Sequence, residues 1–403
     1  MKVLQINVTS NWGSTGRIVE DIGNLIKKSG DESYIAYGRN NNPSNSITIK
    51  VGNDSEIYFH ILATRLLDRH GLASKKGTKE LIKEIIKINP DIIHLHNIHG
   101  YYLNYKILFE YLSKTNITIV WTLHDCWAYT GHCAFYSYEN CNRWKTECHH
   151  CPQLKKYPIS WYKDRSRKNF IDKLKAFTSI KNMTLVPVSN WLGKEIESSF
   201  LKKYPVKVIH NGIDLNVFCP QKPFKTINNI PINDKFVILG VASVWDDRKG
   251  LADYIQLRKL LPAEFIIVLI GLNQQQISKL PPGIIGISRT NNSQELAQYY
   301  STADVYANFS VEETFGLTTC ESLACGTPVI VYNATACPEI VSEETGYITD
   351  IKDFNSIRDK IYAIKNKGKE SYSIACRRRA EMLYNKEYCY SQYIKLYKSL
   401  ICK

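Results

Sequence analysis

Short apolar runs of strand length recur along the chain, separated by longer stretches in which apolar residues return every three or four positions. The runs fall at residues 3–8, 34–37, 92–96, 118–123, 185–188 and 206–210, and again at 236–244, 265–270, 305–309 and 327–332. Helical spacing occupies 17–28, 79–87, 295–300 and 316–324. Strands covered on both faces read as unbroken apolar runs, and their alternation with helices is the pattern of βα units joined in a parallel sheet. Because the alternation occurs twice, it predicts an α/β protein with two doubly wound halves.

A segment rich in Pro, Asn and Lys at 219–233 interrupts the alternation, so the boundary is expected just before it, with domains at 1–215 and 216–380. From about 371 to 403 the chain is aromatic and basic with no strand-like run, which predicts helix; its end, 381–403, is expected to pack back on the first domain. At 403 residues, two domains can each bury a core, and 44% hydrophobic with 22% charged residues excludes disorder as the main state. No stretch approaches the roughly 18 to 20 apolar residues that span a bilayer, and the start, MKVLQINVTS, lacks a signal-peptide core. The expected location is therefore the cytoplasm. Thiols stay reduced there, so the 12 cysteines are read as buried hydrophobes, metal ligands or reactive groups before disulfides. The net charge of +14 is uneven: residues 1–215 carry 30 basic against 19 acidic side chains, and 216–403 carry 22 against 19. That asymmetry favours an anionic partner without selecting a membrane, a phosphorylated substrate or nucleic acid.

Two segments place chemistry at βα junctions. After the run at 3–8 the chain reads Thr9-Ser10-Asn11-Trp12-Gly13-Ser14-Thr15-Gly16-Arg17 and enters a helix, where backbone N–H groups can meet an anion. The spacing is not G-x-G-x-x-G, and a plain tight turn explains it equally well. The segment from Ser310 to Ile330 reads as strand end, loop, helix, Gly stop and strand. A helix starting near Gly316 aims the N–H groups of Phe315, Gly316, Leu317 and Thr318 out of its first turn, and the positive end of its dipole suits phosphate. Glu321 follows little more than a turn later, placed to accept hydrogen bonds from vicinal hydroxyls, and Glu313 lies in the loop before. A surface helix with acidic residues near its start carries the same pattern.

Glu313, seven residues and Glu321, followed by Ser-Leu-Ala-Cys-Gly-Thr-Pro-Val-Ile, resemble the E-x7-E signature of glycosyltransferase family 4. The likeness runs along most of the chain. His210-Asn211-Gly212-Ile213-Asp214 with Phe218 resembles the family's end-of-domain segment, and residues 240–250 resemble its donor-phosphate strand and loop. Asp91-Ile-Ile-His94-Leu-His96, Thr122-Leu-His124-Asp125 and Gly13-Ser-Thr-Gly16 resemble first-domain strand ends and the Gly-rich turn. His96-Asn97-Ile98-His99-Gly100-Tyr101-Tyr102-Leu103-Asn104 and a Cys-rich insert resemble bacterial exopolysaccharide enzymes of the colanic-acid type.

The resemblance implies the GT-B fold, two Rossmann-like domains facing a central cleft, and a retaining transfer from a nucleoside-diphosphate sugar. By it, Glu321 binds the ribose hydroxyls, Glu313 lies by the transferred sugar, and the N–H groups of Phe315, Gly316, Leu317 and Thr318 meet the sugar and distal phosphate. Lys249 takes the place of the phosphate-binding Lys. Val244 stands where the partner Arg is usual, leaving Arg248 as a candidate substitute. Gly16 joins the donor site, while Ser14, Thr15, His96 and Asp125 face the acceptor. His124, ending a strand, reaches a sugar hydroxyl or the acceptor as a catalytic residue, or is simply satisfied by backbone there. The implied acceptor is a saccharide or isoprenoid-diphosphate-linked sugar at the inner face of an anionic membrane, in surface polysaccharide synthesis.

A leaving nucleoside diphosphate gathers negative charge as its glycosidic bond breaks, and fixed cations beside a helix N-terminus stabilise it without reorganising. Catalysis is then expected to need no metal or other cofactor, and no Asp is followed two residues later by another Asp, so the D-x-D metal motif is missing. Glu313 is placed to stabilise an oxocarbenium-like sugar; a nucleophilic role is not legible. An epimerase of the same fold is the rival enzyme.

Within an insert at about 126–155, Cys133, Cys141, Cys148 and Cys151 include one C-x2-C pair, a spacing that fits structural zinc as well as idle thiols. His132, His149 and His150 are alternative ligands. Between Lys155 and Lys181, nine Lys and Arg are interleaved with Trp161, Tyr162, Phe170 and Phe177. These suit a bilayer surface, an isoprenoid diphosphate or a solvated helix with its aromatics turned inward. Nucleic acid could use the same residues and the insert, but it is not the expected partner.

Overall fold

A computed structural model describes residues 1–401. The chain divides into two units, Met1–His210 together with the last segment from Cys389, and Asn211–Tyr388. The first division lies five residues before the expected 215/216 boundary. Ile213 explains the shift: its N–H donates to Tyr384 O (2.8 Å), and its carbonyl accepts from Lys386 N (3.1 Å), tying 211–215 to the second unit. The Pro- and Asn-rich segment is likewise part of that unit, where it forms a small hairpin.

Unit 1 holds a parallel sheet of β1 (Lys2–Asn7), β2 (Glu32–Tyr37), β3 (Ile47–Lys50), β4 (Ile92–Leu95), β5 (Thr118–Leu123) and β6 (Met183–Pro187), in the order β3-β2-β1-β4-β5-β6. Residues 206–210, expected as a further strand, run extended beside β6 with Lys207 N on Leu185 O (2.9 Å) and Ile209 N on Pro187 O (3.2 Å). Only one bridge, Leu185 to Val206, forms there, since the next would need an N–H from Pro187, which proline lacks. The final helix, Lys386–Ile401, sends Cys389, Tyr390, Tyr393, Ile394, Leu396 and Tyr397 into the core with Val3, Ile18, Ile22, Ile26, Ile92, Val120 and Val186.

Unit 2 begins with the hairpin β7 (Thr226–Ile227) and β8 (Ile230–Pro231). Its sheet contains β9 (Phe236–Val241), β10 (Phe265–Ile270), β11 (Ile284–Ile287), β12 (Val305–Asn308), β13 (Val329–Tyr332) and β14 (Gly346–Thr349), ordered β11-β10-β9-β12-β13-β14. Both sheets therefore have the 3-2-1-4-5-6 order of the dinucleotide-binding fold, which reverses direction at one pair of strands. In unit 1 that pair is β1 and β4; in unit 2 it is β9 and β12. Loops leaving the carboxyl ends of such a pair meet outside the sheet, and ligands of doubly wound folds bind there. The sheet strands not anticipated, β3, β11 and β14, all lie at a sheet edge.

Candidate active site

In unit 2 the reversal point brings together residues far apart in sequence. The loop after β9 carries Arg248 and Lys249, and the loop after β12 carries Glu312 and Glu313. Lys249 Nζ is ion-paired with Glu313. Arg248 pairs with Asp246 (2.9 Å) and lies 3.5 Å from a carboxylate oxygen of Glu312, whose side chain is 1% exposed. Backbone bonds hold the loops in register: Val311 N donates to Arg248 O (2.9 Å), and Glu313 N donates to Thr335 Oγ1 (2.9 Å). The two cations are thus anchored on both sides of the crossing point, with carboxylate partners.

The helix expected near Gly316 is Leu317–Ala324, with Gly316 at its N-cap and φ at 103°. Only glycine enters that conformation cheaply, and no side chain caps the first turn. Thr318 accepts from Tyr306 OH (2.8 Å), and Thr319 accepts from Asn308 Nδ2 (3.0 Å), so β12 itself positions the helix start. Phe315 is buried, its ring edge-on to Tyr384 at 5.7 Å. Glu321, one turn on, accepts from Tyr300 OH (2.9 Å). Tyr306 senses both Glu313 and Glu321; its burial, with these carboxylates adding, raises its hydroxyl far above the usual range. The residues singled out in the sequence of unit 2 therefore fall on one side of one sheet end. Asp246, Glu312, Tyr300, Tyr306 and Thr335 were missed, and apart from Glu312 beside Glu313 nothing in their local sequence marks them.

Unit 1 assembles a second group, at the ends of β1, β4 and β5. Ser14, Thr15 and Gly16 begin the helix Gly13–Lys28, where Asn11 N donates to Gly16 O (3.1 Å) and Thr9 Oγ1 to Trp12 O (2.8 Å). His124 Nε2 is 3.1 Å from His96 Nδ1, and His96 Nε2 is 3.2 Å from Gln5 Oε1. Burial lowers the His124 pKa to about 4, so its ring is neutral at ordinary pH. His96 itself is 1% exposed. Assigned to the acceptor side by resemblance, it instead supports the half-buried His124 ring from below. Asp125 accepts from Trp127 N (2.9 Å) and lies 2.8 Å from His99 Nε2. Burial alone would raise its carboxyl, but the His99 charge and these two hydrogen bonds outweigh it and hold the pKa low. His94 lies against His96, the rings tilted by 41° with centres 3.9 Å apart, and bonds Thr122 (2.7 Å) and Tyr397 (2.6 Å) as a structural group.

The insert places Cys133, Cys141, Cys148 and Cys151 around one small cavity with His132. Among the described residues no three His, Cys, Asp or Glu groups already converge as ligands of a metal ion. In the basic segment, Lys173 departs from the expected surface face. It is buried in the helix Ser166–Phe177, donates to the carbonyls of Trp127 (2.6 Å) and Thr130 (2.9 Å), and lies over the Trp127 ring. Phe170 and Phe177 turn inward, while Trp161 and Tyr162 are exposed. Among the described residues no helix is long and apolar enough to cross a membrane.

Two six-stranded Rossmann-like units, the second with paired cations and two carboxylates around a helix N-terminus, define a glycosyltransferase of the GT-B fold. A model described as Glycosyltransferase Family 4 matches residues 15–217, and one described as Glycosyl transferases group 1 matches 235–366. The chain belongs to glycosyltransferase family 4. It is 23% identical over 366 residues to the colanic acid biosynthesis glycosyl transferase WcaC of Escherichia coli K12, covering 86% of each. Among solved structures it is similar to sucrose-phosphate synthase from Thermosynechococcus elongatus, with TM-score 0.73, 18% identity, and 100% and 99% of the two chains covered. It is also similar to Anabaena HepE, solved in complex with UDP and glucose, with TM-score 0.68, 15% identity, and 99% and 100% covered.

Proposed function

We propose that the protein transfers a sugar, with retention and without a catalytic metal, from a nucleoside-diphosphate sugar to a saccharide or lipid-linked acceptor in bacterial surface polysaccharide synthesis. The observation that carries this reading is the Lys249–Glu313 pair, which joins the two reversal-point loops beside the N-terminus of Leu317–Ala324. A diphosphate placed there meets Lys249, Arg248 and the first-turn N–H groups together, and the growing charge of the leaving group is stabilised by dipoles that need not reorient. Glu321 accepts the ribose hydroxyls, its carboxylate oriented by Tyr300. Glu313, neighbour of the phosphate-side Lys249, stands where positive charge develops on the sugar. His124, neutral and backed by His96, serves a sugar hydroxyl or the acceptor hydroxyl as a hydrogen-bond partner.

The relatives support the substrate classes: one structural neighbour was solved with UDP and glucose, and a relative carries the name of a colanic acid biosynthesis glycosyl transferase. The basic excess of the first half and the exposed Trp161 and Tyr162 support work at an anionic membrane surface. Thermal-shift screening against UDP-, GDP-, dTDP- and ADP-sugars identifies the donor, because a ligand of the folded state raises apparent stability. Glycosidic product keeping the donor's anomeric configuration, formed in excess chelator, is the expected result; isomerised free donor without transfer would replace this reading with an epimerase.

A further inference from the structure

The insert of unit 1 has little regular structure of its own. Between β5 and the helix Ser166–Phe177 the only helical pieces are the single turns Trp127–Tyr129 and Arg143–Lys145. Ordering so long a loop costs conformational entropy that neither a ladder nor a helix returns. A small aromatic cluster helps, with Trp144 against Tyr136 at 4.8 Å and Tyr129 at 5.0 Å. Beside that cluster lies a cavity of about 10 Å³, room for roughly one water-sized sphere, lined by His132, Cys133, Cys141, Cys148 and Cys151.

His132 is the informative residue. It is 2% exposed, and its Nδ1 lies 2.7 Å from Asp68 Oδ1. Asp68 is itself fully buried and fixed, its other oxygen accepting from Arg165 N (2.8 Å). A carboxylate at Nδ1 leaves Nε2 with its lone pair, and His132 Nε2 is a buried atom with no hydrogen-bond partner. Carboxylate on one nitrogen and an unused lone pair on the other is the arrangement of a metal-binding imidazole. The thiols around it are prepared in the same sense. Cys133 is hydrogen-bonded to Cys151. Cys148 Sγ accepts from Gly131 N at 3.2 Å, and the Cys151 backbone N–H is held by Asp164 Oδ2 at 2.6 Å. Gly131 permits that approach, since a Cβ there would lie 2.7 Å from the Cys148 Cβ.

We propose that this insert holds one structural zinc ion on Cys133, Cys148, Cys151 and His132 Nε2, with Asp68 behind the imidazole. The four groups line the cavity without meeting at a point, and the ion draws them into a tetrahedron, the geometry of Cys3His sites. Ligation as thiolates releases three protons to solvent, so the ion is lost in acid. Cys141 also lines the cavity, and is left out of the set because the unpartnered His132 Nε2 fills the fourth position.

Elemental analysis of the full chain purified without chelator is expected to give about one zinc per chain. Cys151→Ser and His132→Ala should lose most of it, while Cys141→Ser and the distant Cys219→Ser keep it. If those variants do not fold, the wild-type chain decides. Removing its zinc with a strong chelator should lower Tm, zinc should restore it, and cobalt in its place should show the thiolate charge-transfer absorption of three sulfurs. Zinc-free protein from zinc-replete cells, or a Cys133–Cys151 disulfide in its stead, overturns the site. Loss of metal in Cys141→Ser with full retention in His132→Ala overturns the histidine ligand.

Discussion

The two units share a strand order yet place different chemistry near its reversal. In unit 2 the reversal loops carry permanent charges, Arg248 and Lys249 against Asp246, Glu312 and Glu313. In unit 1 the ends of β4 and β5 carry neutral rings, His96 held by Gln5 of β1 and His124 beyond it, beside the Asp125–His99 pair. All 10 histidines lie within residues 1–210, and the rest of the chain has none. The scaffold thus decides where loops converge, and the side chains on those loops decide what can be held. Fixed cations suit a diphosphate whose charge grows during reaction. Neutral imidazoles and amides suit sugar hydroxyls, which both give and accept hydrogen bonds.

The contrast can be broken most directly by Lys249→Ala, which removes the cation proposed to meet the leaving group and should lower kcat by about 10²- to 10³-fold. Single-turnover kinetics with the identified donor measures it, and a near-normal rate would end the phosphate role. Glu321→Ala should weaken nucleotide binding about 10- to 150-fold, corresponding to about 1.5 to 3 kcal/mol for hydrogen bonds to a charged group. Calorimetric titration with the free nucleoside diphosphate checks it, and unchanged affinity rejects the ribose assignment.

A third test sharpens the comparison through pH. Burial lowers the pKa of His60 to about 3 and of His124 to about 4, and places those of His70, His94 and His96 well below the ordinary value. Each of these rings binds its proton more weakly folded than unfolded. Their contribution is therefore complete above pH about 6.5 and is lost as pH falls toward the folded values. With all five rings in unit 1, that unit should loosen before unit 2 between pH about 6.5 and 4. Hydrogen exchange resolved by segment should show protection lost first in β1, β4 and β5, and simultaneous loss in β9 and β12 would contradict this. The smallest effect belongs to Tyr300→Phe, which removes one hydroxyl from Glu321 and should weaken nucleotide binding about 2- to 13-fold, or about 0.5 to 1.5 kcal/mol. The same titration reads it, with wild-type affinity as the result that would remove Tyr300 from the site.

Legibility also differed between the units. The residues singled out in unit 2 stood out because they lie close together in sequence. Glu313, Gly316 and Glu321 lie within one βα junction, whose strand, turn and helix each leave a mark in nine consecutive residues. Lys173 was misread because a lysine in an amphipathic stretch reads as solvent-facing. Only the packed helix shows its ammonium capping two carbonyls in the interior.

Alternating apolar runs and helical spacing were enough to specify two doubly wound units, because burial on both faces of a parallel sheet imposes its pattern on every strand. The positions of the loop residues along the chain were equally plain. Partnership was not. Lys249 and Glu313 are 64 residues apart, and Tyr397 bonds His94 across 303. No local pattern encodes such pairs, since they exist only once the strand order has closed the intervening chain into loops, and it is the packed sheet that decides which side chains then lie within hydrogen-bond reach.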